Sequence, residues 1–363
     1  MQENYDYTIT PQRDGDYLNG VSTFDLVLIS KHILGVQPLN SPYKMIAADV
    51  NNSESITTLD LIQLRKLILS IDTEFTNNTS WRFVERAYAF PNPSNPWFED
   101  FPEVVNINNL PATGISNADF VAVKVGDVNL DAQTNSFTAV EERNMVSTFA
   151  FNVADASVNA GNEYTVTFAA GSADVDGYQG TLMFDNAALE LVDIIGGVAT
   201  EENFGLTRVS EGAIATSWNG NVEAGQPLFS LVFRAKAEGQ LSQLLSVSNR
   251  VVKSEAYNRA GEYMDVAIQF SNGTVASAGF ELYQNTPNPF KGETMIGFNL
   301  PADAQATLTI SDITGKVLKL VRVDGVKGYN QVVVNSNGLP TGVLAYTVET
   351  ADFTATKKMV IVK

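Results

Sequence analysis

Asp14-Gly-Asp-Tyr-Leu-Asn-Gly-Val-Ser-Thr-Phe-Asp25 runs straight into Leu26-Val-Leu-Ile-Ser-Lys-His-Ile-Leu34. Thirty-five residues later, Asp49-Val-Asn-Asn-Ser-Glu-Ser-Ile-Thr-Thr-Leu-Asp60 runs into Leu61-Ile-Gln-Leu-Arg-Lys-Leu-Ile-Leu69. Each copy reads as a twelve-residue polar loop followed by an amphipathic helix, and the fixed spacing marks the pair as an internal repeat. A single copy would mean no more than a capped helix. Two copies with oxygen-bearing residues in register point to a cation.

Calcium takes six to eight oxygen ligands, which a twelve-residue loop supplies from positions 1, 3, 5, 7, 9 and 12. In the second copy these are Asp49, Asn51, Ser53, the Ser55 carbonyl, Thr57 and Asp60. In the first they are Asp14, Asp16, Leu18, the Gly20 carbonyl, Ser22 and Asp25. Leu18 offers only its backbone carbonyl, which makes the first site the weaker or differently shaped one. Val21 and Ile56 stand at the apolar position that links two such loops. Each position-12 carboxylate also opens a helix, where it complements the helix N-terminus. The sequence thus predicts two Ca2+ ions. The run Asp127-Val-Asn129-Leu-Asp131 repeats the opening of such a loop without its later ligands or its helix, and is a third candidate site.

The paired loops, the Ser/Thr-Thr-(Phe/Leu)-Asp-Leu helix starts and the lack of a helix before the first loop resemble a type I dockerin domain over residues 12–72. The resemblance implies a fold that depends on calcium and a protein partner of cohesin type, met through exposed helix residues. The matching contact positions are Thr23, Phe24 and Lys31, with their repeat mates Thr58, Leu59 and Lys66.

Residues 73–140 form an aromatic and proline-rich connecting segment. Prolines 91, 93 and 96 exclude a helix there, and its aromatics are expected to pin it onto the helical domain at 1–72. From about 145 to 271, alternating runs such as Phe149/Phe151/Val153 and Phe229/Leu231/Phe233, separated by turn clusters, predict an antiparallel β-sandwich. The wording of Tyr178-Gln-Gly-Thr-Leu-Met-Phe184-Asp-Asn-Ala-Ala-Leu-Glu-Leu resembles cohesin domains, whose jelly-roll fold is related to some carbohydrate-binding modules.

A small-residue linker at 272–279 leads into the last segment. There Gln284-Asn-Thr-Pro-Asn-Pro-Phe290, Gly338-Leu-Pro-Thr-Gly342 and the ending Lys358-Met-Val, spread over seven or so short strands, resemble in their order a type IX secretion C-terminal sorting domain. That implies an Ig-like sandwich over 280–363, recognition by the secretion machinery, and a secreted protein of the bacterial outer surface. Charge breaks at the same place: residues 280–363 carry 8 basic and 7 acidic side chains, against 7 and 17 in 141–279.

The fold class that follows is multidomain: a small α-helical loop–helix pair, then two antiparallel β-sandwiches. The net charge of −18 argues against nucleic acid as a partner, and no stretch is apolar for long enough to span a membrane as a helix. Met1-Gln-Glu-Asn-Tyr-Asp lacks signal-peptide character, so the chain is expected to be a fragment or a processed form. With no cysteine, a single histidine (His32) and no nucleophile elbow or phosphate loop, the chain reads as non-catalytic. Two roles fit. One is a structural or interaction region for assembly, adhesion or display. The other is an accessory region of a polysaccharide-degrading enzyme whose catalytic domain lies upstream. A partner in cis, with the dockerin-like and cohesin-like segments of one chain packing together, is a further expectation.

Overall fold

The structure, a computed structural model, describes residues 2–134, 145–277 and 279–362. It is mostly β, and it divides into two compact units. One holds residues 1–134 with the tetrapeptide 217–220, and the other holds the remainder. The boundary expected at 140/141 lies outside the described residues.

In the first unit the two repeats fold as α1 (Thr23–Ile33) and α3 (Thr58–Ile68), with α2 (Pro42–Ala48) between them. Their starts are set by reciprocal caps. The Ser22 hydroxyl accepts from Phe24 N while Ser22 N donates to Asp25, and Thr57, Leu59 and Asp60 repeat the arrangement. Pro42 opens α2, where its missing N–H costs nothing. Leu26, Val27 and Ile29 of α1 and Leu64, Leu67 and Ile68 of α3 are buried at helical spacing.

The connecting segment completes this core. Strand β1 (Tyr7–Ile9) pairs antiparallel with β3 (Val105–Ile107), and β2 (Trp81–Glu85) with β4 (Phe120–Lys124). Trp81, Val84, Val123, Val125 and Val128 are buried. Phe90 packs edge-on to Tyr43 and Tyr88, at 5.6 and 5.1 Å, which ties the proline-rich stretch to α2.

In the second unit, most strands between 147 and 277 join one large sheet, with 157–158 and 239–240 paired separately; Phe149, Phe151, Phe168, Tyr178, Phe229 and Phe233 are buried there. Neighbours such as 163–170 and 227–235 pair antiparallel, while strands 147–153 and 263–270 pair in parallel. A parallel pair needs a long crossover, and the whole sandwich lies between these two strands. Residues 275–277, expected as part of a linker, pair antiparallel with 267–269.

Residues 281–361 form a three-stranded and a four-stranded sheet around a core that includes Phe290, Phe298, Ile310, Tyr346 and Met359. Asn285 is buried, and its side-chain amide donates to Pro287 O and Thr294 Oγ1. The Tyr346 hydroxyl accepts from Asn285 N and donates to Tyr283 O. Phe290 N donates to Val360 O. The opening motif of this segment is therefore fastened to its closing strand. No helix among the described residues is long and apolar enough to cross a membrane.

Candidate metal centre

The loop before α3 closes on its own first and last carboxylates. Asp49 and Asp60 are fully buried. Asp49 Oδ1 accepts from Ser53 N at 2.8 Å and Oδ2 from Glu54 N at 2.9 Å. Asp60 Oδ1 accepts from Asn51 N at 3.2 Å, and Oδ2 from Thr57 N at 2.8 Å. The chain is thus wound around its carboxylates, with Asn52 and Glu54 at positive φ (55° and 61°) to make the turns. Burial holds the Asp49 carboxyl above the usual carboxylate range. The side-chain oxygen of Asn51 is buried and meets no protein donor. A buried amide oxygen without a partner is costly unless something electropositive sits beside it. The Ser53 hydroxyl lies 3.3 Å from the Ser55 carbonyl and 3.5 Å from Asp49 Oδ1.

The first repeat is arranged differently. Asp14 is exposed, and its Oδ1 accepts from Gly15 N and Ser80 N, both at 2.9 Å. Asp16 and Leu18 are exposed, Gly20 half-buried, and Ser22 caps α1. Asp25 is fully buried and faces elsewhere: its Oδ1 accepts from Val128 N at 2.8 Å and Asn129 N at 3.2 Å. The structure thus brings Asp25 to the third candidate segment and leaves Asp14 apart from it. There Asp127, buried, accepts from Leu130, Asp131 and Ala132 N–H groups, and Asn129 Nδ2 donates to Asp131. Burial, then the neighbouring charges of Asp127 and Asp131, hold the Asp25 carboxyl well above its ordinary value. Asp127 is pushed up to about 6, chiefly by burial.

Lys124 lies beneath these acids. Its Nζ donates to the carbonyls of Tyr17 and Val125, and burial pushes it down to about 8. Sequence reasoning did not single it out. Its place in the apolar alternation of β4, as a lysine where a core residue belongs, was the available signal. Among the described residues, no group of three or more His, Cys, Asp or Glu side chains closes on one metal-sized point. An ion here would therefore draw its remaining donors from amide, hydroxyl and main-chain oxygens, as calcium does. The donors of loop 49–60 fit that requirement.

Of the expected partner-contact positions, Thr58, Leu59 and Lys66 are exposed, and Phe24 and Lys31 half-buried. Thr23 is fully buried, its Oγ1 2.7 Å from Ser217 Oγ in the tetrapeptide grouped with this unit. The Nδ1 of His32 accepts from Leu39 N, and burial lowers its proton affinity.

No curated protein matches the chain in sequence. Several solved structures resemble it distantly. The sixth cohesin of scaffoldin B from Acetivibrio cellulolyticus, solved in complex with a Cel5 dockerin mutant, is 14% identical with a TM-score of 0.28, over 37% of this chain and 100% of that one. The seventh ScaB type I cohesin of Pseudobacteroides cellulosolvens is 16% identical with a TM-score of 0.24, over 36% of this chain and 92% of that one. Dimeric latent PorU from Porphyromonas gingivalis is 10% identical with a TM-score of 0.22, over 61% of this chain and 19% of its own. Residues 286–362 match the family described as secretion system C-terminal sorting domain. This segment is a type IX sorting domain, and the chain that carries it is a secreted protein attached to the outer cell surface.

Proposed function

We propose that residues 1–134 form a calcium-stabilised interaction module, without catalytic activity, displayed on the cell surface by the sorting domain at 286–362. The observation that carries the calcium reading is the buried side-chain oxygen of Asn51. It lies without a donor in a loop whose two end carboxylates, Asp49 and Asp60, are fully buried. Bound calcium supplies the positive charge that lets buried carboxylates stay ionised. The chain's own part is to hold Asp49, Asn51, Ser53, Ser55, Thr57 and Asp60 on one short loop, with Asp60 fixed by the first turn of α3.

The duplicated loop and helix resemble a dockerin, and on that reading the partner is a protein domain of cohesin type. Thr58, Leu59 and Lys66, which stay exposed on the second repeat, are its contact positions. The test is calorimetric titration of the chelator-stripped chain with calcium chloride, alongside thermal unfolding. Calcium is expected to bind and to raise the unfolding temperature of this unit, and Asp60→Ala to abolish binding at this loop. A chain that takes up no calcium and melts identically with and without it contradicts the reading.

A further inference from the structure

We infer that a second calcium ion is held by a split donor set, Asp25 at the start of α1 together with Asp127 and Asn129, in place of a continuous loop over residues 14–25. The inference rests on the calcium reading of loop 49–60 and uses that loop as its template.

The two arrangements correspond bond by bond. In loop 49–60, Asp49 accepts from the N–H groups four and five residues ahead, Ser53 and Glu54. Asp127 accepts from the N–H groups four and five residues ahead, Asp131 and Ala132. Asp60 Oδ1 accepts from the N–H of Asn51 at 3.2 Å, and Asp25 Oδ1 accepts from the N–H of Asn129 at 3.2 Å. Each asparagine is the third residue of the same tripeptide, Asp-Val-Asn, and the valines, Val50 and Val128, are both fully buried. The fourth residue takes positive φ in both, 55° at Asn52 and 69° at Leu130. The other oxygen of each helix-opening carboxylate accepts from its N-cap, Thr57 N at 2.8 Å and Ser22 N at 2.9 Å.

The chain switches at one place. Gly20 sits at φ 72°, and a Cβ there would lie 2.6 Å from Ala132 Cα and N. Beside it the Asn19 amide exchanges two hydrogen bonds with the main chain of Gln133, at 2.8 and 2.9 Å. Residues 127–132 thus stand where 49–54 stand, and 21–25 where 56–60 stand. Positions 14–18, which a continuous reading needs, are engaged otherwise: Asp14 bonds Ser80, Asp16 faces Lys124, and Leu18 is exposed.

Charge supplies a second argument, independent of the loop's shape. Asp25 is fully buried, Asp127 is 3% exposed, and the two repel each other. The buried cation beside them, Lys124, sets one positive charge against Asp16, Asp25 and Asp127 together, and its ammonium donates to the Tyr17 and Val125 carbonyls. Buried carboxylates that face one another are stable when ionised only if a cation lies between them. A divalent ion held by oxygen ligands meets that need, and it also fastens the segment by which the chain leaves this unit to the start of α1.

The experiment counts calcium ions on the full chain by native mass spectrometry and calorimetry, for the parent and for Asp14→Ala, Asp60→Ala, Asp127→Ala and Asp127→Asn. The split set predicts two ions on the parent and on Asp14→Ala, one on Asp60→Ala, and one on both Asp127 variants. The ion kept at loop 49–60 shows that an Asp127 variant is still folded. Loss of an ion from Asp14→Ala, retention of both by the Asp127 variants, or one or three ions on the parent overturns the split set while leaving calcium at loop 49–60 in place. A parent chain that binds no calcium removes the template, and with it the proposed function.

Discussion

The Asp25 carboxylate and the main-chain N–H of Asn129 are hydrogen-bonded at 3.2 Å across 104 positions of sequence. That bond joins the first helix of the unit to its last described turn. Asp25 thereby serves α1 as a cap and residues 127–132 as an anchor with one side chain. Asp25→Ala should therefore cost far more than loss of a cap, about 2–4 kcal/mol for a buried, multiply bonded carboxylate. Asp14→Ala, at an exposed position, should cost under about 1 kcal/mol. Denaturant unfolding of both variants in calcium checks the contrast. Equal costs would mean that the long-range bonds contribute little.

Lys124 gives the unit a distinctive alkaline behaviour. Its folded value of about 8 lies below the ordinary 10.5, because burial disfavours the ammonium form. Nearby Asp16, Asp127 and Asp25 oppose that shift, and Arg13 adds to it. Between these two values the unfolded chain binds more protons than the folded one, so stability rises with pH from about 8 toward 10.5. The full gain is on the order of 3 kcal/mol. Tyr17, pushed up to about 12, favours the folded state less as pH climbs past 10, so the clean window is pH 8 to 10. Urea midpoints measured in chelator should climb across that window and lie flat in Lys124→Met. A parent chain without the climb would place the ammonium in water.

Gly20 and Gly15 form an internal control. Both have positive φ, 72° and 94°, but only Gly20 has backbone 2.6 Å from where a Cβ would go. Gly15→Ala should cost about 1–2 kcal/mol, the backbone penalty alone. Gly20→Ala should cost more and should also weaken calcium binding, because it pushes Ala132 away from the α1 start. Thermal unfolding and titration separate the two effects, and identical behaviour of the two variants would contradict the join at Ala132.

In the sorting domain, the Tyr346 hydroxyl is buried between Asn285 N and Tyr283 O. Tyr346→Phe leaves both without that partner and should cost about 1–3 kcal/mol. Asn285→Ala removes the bonds to Pro287 O and Thr294 that shape the opening motif. Surface display, read by antibody labelling of intact cells, should fall further for Asn285→Ala than for an exposed change such as Ile313→Ser.

Much of this architecture was legible because it is written locally. The Ser22/Asp25 and Thr57/Asp60 caps stand three residues apart within one helix start, and the strand alternation of Phe149, Phe151 and Val153 exposes a period of two. The partner of Asp25 was not legible as such. A repeat read at fixed spacing assigns Asp25 to the loop just before it, whereas the structure closes it on a segment beyond β4. The signal was present in divided form: Asp127-Val-Asn copies Asp49-Val-Asn but lacks the later ligands, and those are what residues 20–25 provide. The parallel pairing of 147–153 with 263–270 was hidden for a similar reason, since alternation fixes which face of a strand is buried but not which distant strand lies beside it. Small residues at 275–277 read as a linker because they carry no apolar alternation, yet their backbone completes a ladder.

The most direct measurement is an anomalous difference map from crystals of the chain grown in calcium. The account predicts one peak inside loop 49–60 beside Asn51, and a second between Asp25 and Asp127. A map with α1 and α3 in place and no peak at either position would contradict it.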